Sequence, residues 1–330
     1  MSRIFSGIQP SGELHVGNYL GAVRNWVSLQ GEYEAFFCVV NYHAITLPYA
    51  AADLRLRTRE MAIGLLAAGV DPDRCTLFVQ SQVPEHAELA WIFNTLTPLG
   101  ELERQTQFKE KSARQEQVMA GLLNYPVLQA ADILLYLADL VPVGEDQIQH
   151  LELSRVIARN WNSRFSPDEP FFPEPKPRLT PTRRLVGLDG KGKMSKSIGN
   201  TIGIMESPDE IWGKLRTAIT DPARKTKNDP GEPDDCPVIY PLHRAFSPPE
   251  TVKLVEENCR GAKWGCVECK RVLHENMMAE LAPVRERAAE LDANDAKVTQ
   301  ILDAGAEKAR AVSSRTIAEV KERMGLPLAR

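Results

Sequence analysis

Much is missing from this 330-residue chain. No apolar run approaches the ~20 residues of a membrane-spanning helix. Residues 1–7 contain no basic stretch leading into an apolar one and a cleavage site, so no signal peptide is predicted. The expected compartment is the cytoplasm, with no membrane partner. Six cysteines are too few for a disulfide scaffold. A lysine phosphate loop ending in Ser or Thr is absent, as is a G-x-G-x-x-G run after the first apolar segment. That argues against a P-loop NTPase and a standard dinucleotide fold. Bulk positive charge is missing as well, since 40 Lys+Arg against 44 Asp+Glu leave −4. Overall charge therefore argues against a nucleic-acid partner. The distribution is uneven, however: residues 1–150 hold 10 basic and 17 acidic side chains, whereas residues 175–227 hold 12 and 5. A polyanion can dock on that stretch despite the overall sign.

The sequence that remains alternates two patterns. Ile4-Phe5-Ser6, Phe36 to Val40, Thr76 to Val79 and Leu140 to Val143 are short apolar runs that suit strands covered on both faces. Between them apolar residues recur at helical spacing, as in Tyr19, Leu20, Val23, Trp26 and Val27. Asp53 is a candidate cap for a helix that runs to Ala68 and ends at Gly69. The alternation implies a parallel α/β sheet with right-handed crossovers. Six prolines between Ser166 and Pro181 predict a stiff connector, neither helix nor central strand. Beyond Ser207 the pattern is helical. Leu273, Met277, Leu281, Val284, Ala288 and Leu291 form one stripe, and Val298, Ile301, Leu302, Ala309, Val312, Ile317 and Val320 form another on the last helix.

Two segments carry candidate nucleotide chemistry. The first apolar run leads into Ser6-Gly7-Ile8-Gln9-Pro10-Ser11-Gly12, and then His15-Val16-Gly17-Asn18 opens a helix. Glycines at such a junction let backbone amides approach a phosphate, and Gly17 leaves room for a flat ring or sugar. Far downstream lies Gly190-Lys191-Gly192-Lys193-Met194-Ser195-Lys196-Ser197, whose lysines and hydroxyl can close over a pyrophosphate.

Together these stretches resemble the class I aminoacyl-tRNA synthetases. His15 to Asn18 is similar to their HIGH signature, with Asn18 in place of the second His. Lys193 to Ser197 matches the KMSKS signature letter for letter. Phe5 to Gly12, Gly100-Glu101-Leu102-Glu103-Arg104 and Val143-Gly144-Glu145-Asp146-Gln147 resemble the bacterial tryptophanyl-tRNA synthetases, and the likeness extends over essentially the whole chain. The resemblance implies a Rossmann-type parallel-sheet catalytic domain over residues 1–205. An all-helical anticodon-binding domain over 206–330 would follow, with helix 298–324 a candidate to pack back on the first. It implies activation of L-tryptophan by ATP, release of pyrophosphate, and transfer to the terminal ribose of tRNA(Trp), in a homodimer. The first step needs alignment and charge compensation rather than a strong base, because a carboxylate is already a nucleophile. Mg²⁺ would share the pyrophosphate charge.

Carried over by motif position, Gln9, His15, Gly17, Asn18, Gly144, Asp146 and Gln147 are expected at ATP, with Met194 beside the adenine. Lys193, Ser195 and Lys196 are expected on the pyrophosphate, with Lys111 reaching it from the opposite side and Asn18 contributing to catalysis. In Tyr125-Pro126-Val127-Leu128-Gln129-Ala130-Ala131-Asp132, helical spacing puts Tyr125, Gln129 and Asp132 on one face. Asp132 is the expected acceptor for the indole N–H, a donor-only group. Phe5, Gly7, Val141 and Val143 would wall the ring, while His43, Tyr125 and Gln147 orient the polar end of the amino acid. The family's usual residue at Gln129 is Met, and Tyr-x-x-x-Gln-x-x-Asp is how the tyrosyl enzyme handles a phenol. Tyrosine is therefore the alternative substrate. A second alternative is a paralogue that binds tryptophan or a partner without charging tRNA. Tryptophan is preferred because 330 residues leave no room for the extra RNA-binding module usual in bacterial tyrosine enzymes. A small-molecule adenylyltransferase is disfavoured by the helical C-terminal part.

Cys38 and Cys75 read as small core residues. Cys236, Cys259, Cys266 and Cys269 are spaced C-x22-C-x6-C-x2-C and suggest a thiolate metal site, for which structural Zn²⁺ and an iron–sulfur cluster are the candidates. The spacing resembles a subgroup of bacterial tryptophanyl-tRNA synthetases with a 4Fe–4S cluster near the anticodon-binding region, which puts the cluster ahead of zinc.

Overall fold

The computed structural model describes residues 2–113, 116–144, 147–179, 185–192, 194 and 198–327. Five strands, β1 (Arg3–Ile8), β2 (Glu34–Val39), β3 (Thr76–Val79), β4 (Leu140–Val143) and β5 (Lys176–Leu179), form one parallel sheet in the order β3-β2-β1-β4-β5. Residues of β2 alternate between two cores. Phe37 and Val39 join one face and Phe36 and Cys38 the other, which is why the run reads as continuously apolar. The proline-rich connector contributes β5 after all. Pro177 is tolerated there because β5 is an edge strand bonded only to β4.

The helix Ala51–Ala67 starts two residues before Asp53, which lies in its first turn, and Ala50 takes the cap position. A carboxylate there still favours the helix N-terminus. Gly69, at φ +107°, ends the helix as predicted. The helical stretch that begins at Val16 is interrupted by a π turn, Tyr19–Val23.

The long C-terminal helices share the cores of the sheet. Leu273, Met277, Leu281 and Val284 of helix Cys266–Asp292 join the cluster of Ile4, Phe37 and Leu65. Ala306, Ala309, Ile317 and Val320 of helix Asp295–Arg323 join Phe36, Phe78 and Leu89 on the opposite face. Tyr19 donates to Glu280 at 2.8 Å and Arg287 to the Ala67 carbonyl at 2.7 Å, tying helix Cys266–Asp292 to the sheet-flanking helices. No described helix is long and apolar enough to cross a membrane.

Candidate active site

The order of the parallel sheet reverses direction between β1 and β4, so the chains leaving those strands part company and open a crevice at their C-terminal ends. A cleft of about 370 Å³ occupies that place. The sequence-predicted Phe5, Gly7, Gln9 and Asn18 line it from β1 and the following segment. Tyr125, Gln129 and Asp132 enter from helix Ala120–Leu134, and Val141, Val143, Gly144 and Gln147 from β4 and beyond. His43 and Lys111 also reach it, with the Lys111 ammonium 4.9 Å from the centre of the Tyr125 ring.

His15 caps the helical stretch. Its Nδ1 accepts from the amides of Gly17 at 3.0 Å and Asn18 at 3.4 Å, so a neutral ring carries its proton on Nε2. A Cβ on Gly17 would sit 2.9 Å from His15 Cε1 and 3.7 Å from Met194 Cβ, so a larger residue here displaces the capping imidazole, and the position adjoins Met194. Backbone pairing draws the two nucleotide motifs together, with Val16 donating to the Ile202 carbonyl at 2.8 Å and Ile204 to that of Leu14 at 3.0 Å. The basic loop is closed at its base by Leu188 donating to the Asn200 carbonyl, and by Asn200 donating to Asp189. Asp146, Lys193, Ser195 and Lys196 lie outside the described residues.

Asp132 is almost fully buried and well partnered. Its Oδ1 accepts from Gln80 Nε2 and His86 Nδ1, and its Oδ2 from His43 Nε2, each at 2.7 Å. Burial alone would push this carboxyl up. His43 and His86 outweigh burial and hold it well below the usual carboxylate range. His43 thus stands at the Asp132 end of the cleft. A second chain runs from Tyr125 Oη to His150 Nε2 at 3.0 Å, from His150 Nδ1 to Gln147 Oε1 at 3.1 Å, and from Gln129 Nε2 to the same oxygen at 3.4 Å. Burial raises the Tyr125 hydroxyl, which stays protonated. Sequence reasoning did not find Gln80, His86, His150 or the cleft-lining Gly21 and Ala22. Isolated polar residues and a π turn carry no periodic signal.

Cys236, Cys259, Cys266 and Cys269 line a separate small cavity with Asp221, Arg224, Ile239, Val255 and Trp264. Burial raises the thiols of Cys236, Cys259 and Cys269, the last to about 12, and the neighbouring sulfurs add to the rise. Arg224 lies 3.9 Å from Cys259 Sγ and His243 Nε2 3.4 Å from Cys269 Sγ. Among the described residues, no three His, Cys, Asp or Glu side chains converge where a single metal ion would sit. Cys38 and Cys75 are buried, and burial raises both thiols, that of Cys75 to about 12.

Comparison with known proteins places this geometry among relatives. A family profile described as "tRNA synthetases class I (W and Y)" matches residues 1–282. The chain is 52% identical to a tryptophan–tRNA ligase of Deinococcus radiodurans, covering 98% of this chain and 99% of that one. It is 44% identical to that of Thermotoga maritima, with the same coverage. The crystal structure of Campylobacter jejuni tryptophanyl-tRNA synthetase, complexed with ADP and tryptophan, superposes with a TM-score of 0.89 at 35% identity, covering 98% of this chain and 100% of that one. A tyrosyl-tRNA synthetase of Archaeoglobus fulgidus, with a TM-score of 0.68, 22% identity and coverage of 87% and 90%, shares the fold.

Proposed function

The chain belongs to the class I tRNA synthetases for tryptophan and tyrosine, and within them to the bacterial tryptophanyl-tRNA synthetases; from that premise we propose how its cleft works. The chain activates L-tryptophan with ATP and charges tRNA(Trp). A tryptophan carboxylate oxygen attacks the α-phosphorus, the bond from that phosphorus to the bridging oxygen breaks, and pyrophosphate leaves. The terminal ribose hydroxyl of tRNA then attacks the activated carbonyl, and AMP leaves.

Gln9, Gly17, Asn18, Gly144, Asp146 and Gln147 hold ATP, with His15 shaping the loop and Met194 against the adenine. Lys193, Ser195 and Lys196 compensate the charge on the leaving pyrophosphate, assisted by Lys111 from across the cleft. When bound, Mg²⁺ supplies further charge compensation on the phosphates. Asp132 accepts the indole N–H between walls formed by Phe5, Gly7, Val141 and Val143. Tyr125 and Gln147 orient the polar end of the amino acid with Gln129 beside them, whereas His43, expected there as well, is bonded to Asp132 and acts at the indole end. Residues 1–205, with the long C-terminal helices packed back on their sheet, form the catalytic unit and the rest of 206–330 the anticodon-binding unit, in a cytoplasmic homodimer. The observation that carries this reading is the cleft between β1 and β4, where side chains from distant segments meet. ATP–pyrophosphate exchange with tryptophan and with tyrosine, followed by tRNA charging, tests it. Exchange with tryptophan and charging are expected. Exchange with tyrosine alone overturns the substrate, and exchange without charging points to a paralogue.

The four cysteines hold a 4Fe–4S cluster in this reading. What supports the reading is that four thiols from separate segments line one cavity. Such a cluster would be structural or shape the anticodon contact. Anaerobically purified protein is expected to contain iron and sulfide and to absorb near ~400 nm. Protein without them overturns the assignment.

A further inference from the structure

Asp132 has two carboxylate oxygens and about four acceptor positions in all. Gln80 and His86 occupy both positions on Oδ1, and His43 takes one on Oδ2. One acceptor position therefore remains, on the oxygen shared with His43, and both residues face the cleft. A single remaining acceptor matches a ligand with a single donor. An indole offers one N–H and no acceptor, whereas a phenol oxygen also needs a donor.

That match depends on Asp132 staying ionised, because a proton on the carboxyl would turn the acceptor into a donor. His86 is completely buried and does not line the cleft. Its Nδ1 faces Asp132 Oδ1, and its Nε2 lies 2.8 Å from Tyr136 Oη. Burial raises the Tyr136 hydroxyl, so it remains a donor. With Tyr136 O–H donating to Nε2, the imidazole proton sits on Nδ1 and points at the carboxylate.

We propose that His86, set in its tautomer by Tyr136, is a positioning residue for tryptophan selection: it keeps Asp132 an acceptor with one open position toward the cleft. This rests on the reading of Asp132 as the indole acceptor. The titratable neighbours of Asp132 are His43 on helix Asn41–Ala44, His86 on Glu85–Asn94, Cys38 on β2 and Tyr136 just beyond its own helix. Tyr125 lies next to His43 with Lys111 over its ring, and Glu85 acts on Tyr136. Removing His86 takes away a donor to the carboxylate and leaves the burial cost, so the carboxyl titrates higher.

The test measures ATP–pyrophosphate exchange with tryptophan and with its isostere bearing sulfur in place of the indole N–H. His86→Leu is expected to lower the preference for tryptophan over the isostere by roughly tenfold or more. The loss appears chiefly as a raised KM for tryptophan with KM for ATP unchanged. The tryptophan KM of this variant also rises as pH falls, over a range in which the parent stays flat. His86→Asn, whose amide can still donate to Asp132, retains the preference. Tyr136→Phe keeps the ring, and a smaller loss in the same ratio is expected. That variant keeps the test decisive if His86→Leu does not fold. Equal losses on both amino acids, or an unchanged ratio in these variants against a discriminating parent, overturn the role of His86. A parent indifferent to the isostere overturns the reading of Asp132 itself.

Discussion

Gln129 lines the cleft with its amide 3.4 Å from Gln147, which is itself bonded to His150 and through it to Tyr125. An amide in this chain has a partner without any ligand, so the departure from the family's usual Met needs no phenol to explain it. Asp132 shows the same logic more strongly. An unpaired buried carboxylate is costly, and the two histidines and one glutamine around it remove most of that cost. The type and helical spacing of Tyr125, Gln129 and Asp132 were legible in the sequence. Gln80 and His86 were not, because a polar side chain that meets a partner 40 or more positions away leaves no local pattern. Charge that develops on a leaving pyrophosphate is stabilised more in the transition state than in the ground state. Lys193→Ala and Lys196→Ala are each expected to depress kcat for pyrophosphate exchange by roughly 100-fold, with KM for tryptophan changed far less. Steady-state exchange kinetics check this, and an unaltered kcat removes the loop from the mechanism.

The last helix, Asp295–Arg323, is the element whose position is least local. Its stripe of apolar residues marks a buried face, for which the first domain is the candidate cover, without saying which strand it meets. The structure sets it against β3 so closely that a Cβ on Gly305 would lie 1.8 Å from the Leu77 carbonyl oxygen. In an isolated helix, alanine is preferred to glycine by roughly 1 kcal/mol. Here the backbone of a central sheet would have to give way, so Gly305→Ala is expected to destabilise by about 1–3 kcal/mol instead. A fall in the urea midpoint measures it, and a rise would mean the helix is not docked on β3. Tyr19 and Arg24 meet Glu280 on the neighbouring long helix, so the segment that follows His15 to Asn18 is braced from the C-terminal part. The π turn at Tyr19–Val23 brings Gly21 and Ala22 into the cleft wall, a widening that 3.6-residue periodicity does not anticipate.

At the scale of the molecule, one surface feature bears on assembly. Trp91 is 73% and Leu99 59% exposed, on successive helices. In the proposed homodimer Trp91, the most exposed of the large apolar side chains among the described residues, is the candidate contact with the partner. Trp91→Asp is then expected to shift the sedimentation of the protein from dimer to monomer, and an unchanged dimer would move the interface elsewhere. Charge is likewise a whole-molecule property that an average conceals, since the basic excess of residues 175–227 is set against an acidic first half. The sequence by itself determined the chemistry available: a parallel α/β pattern, two nucleotide motifs, a helical face with Tyr125 and Asp132, and four clustered thiols. These follow from side-chain type and local spacing, which need no fold to be read. Only the tertiary structure decided that β1 and β4 lie side by side and open a cleft between their ends. It also decided that Leu14–Val16 pairs with Ile202–Ile204, and that His86 stands behind Asp132. Contacts between residues so far apart in the chain arise from one packing solution for the whole sheet and its helices.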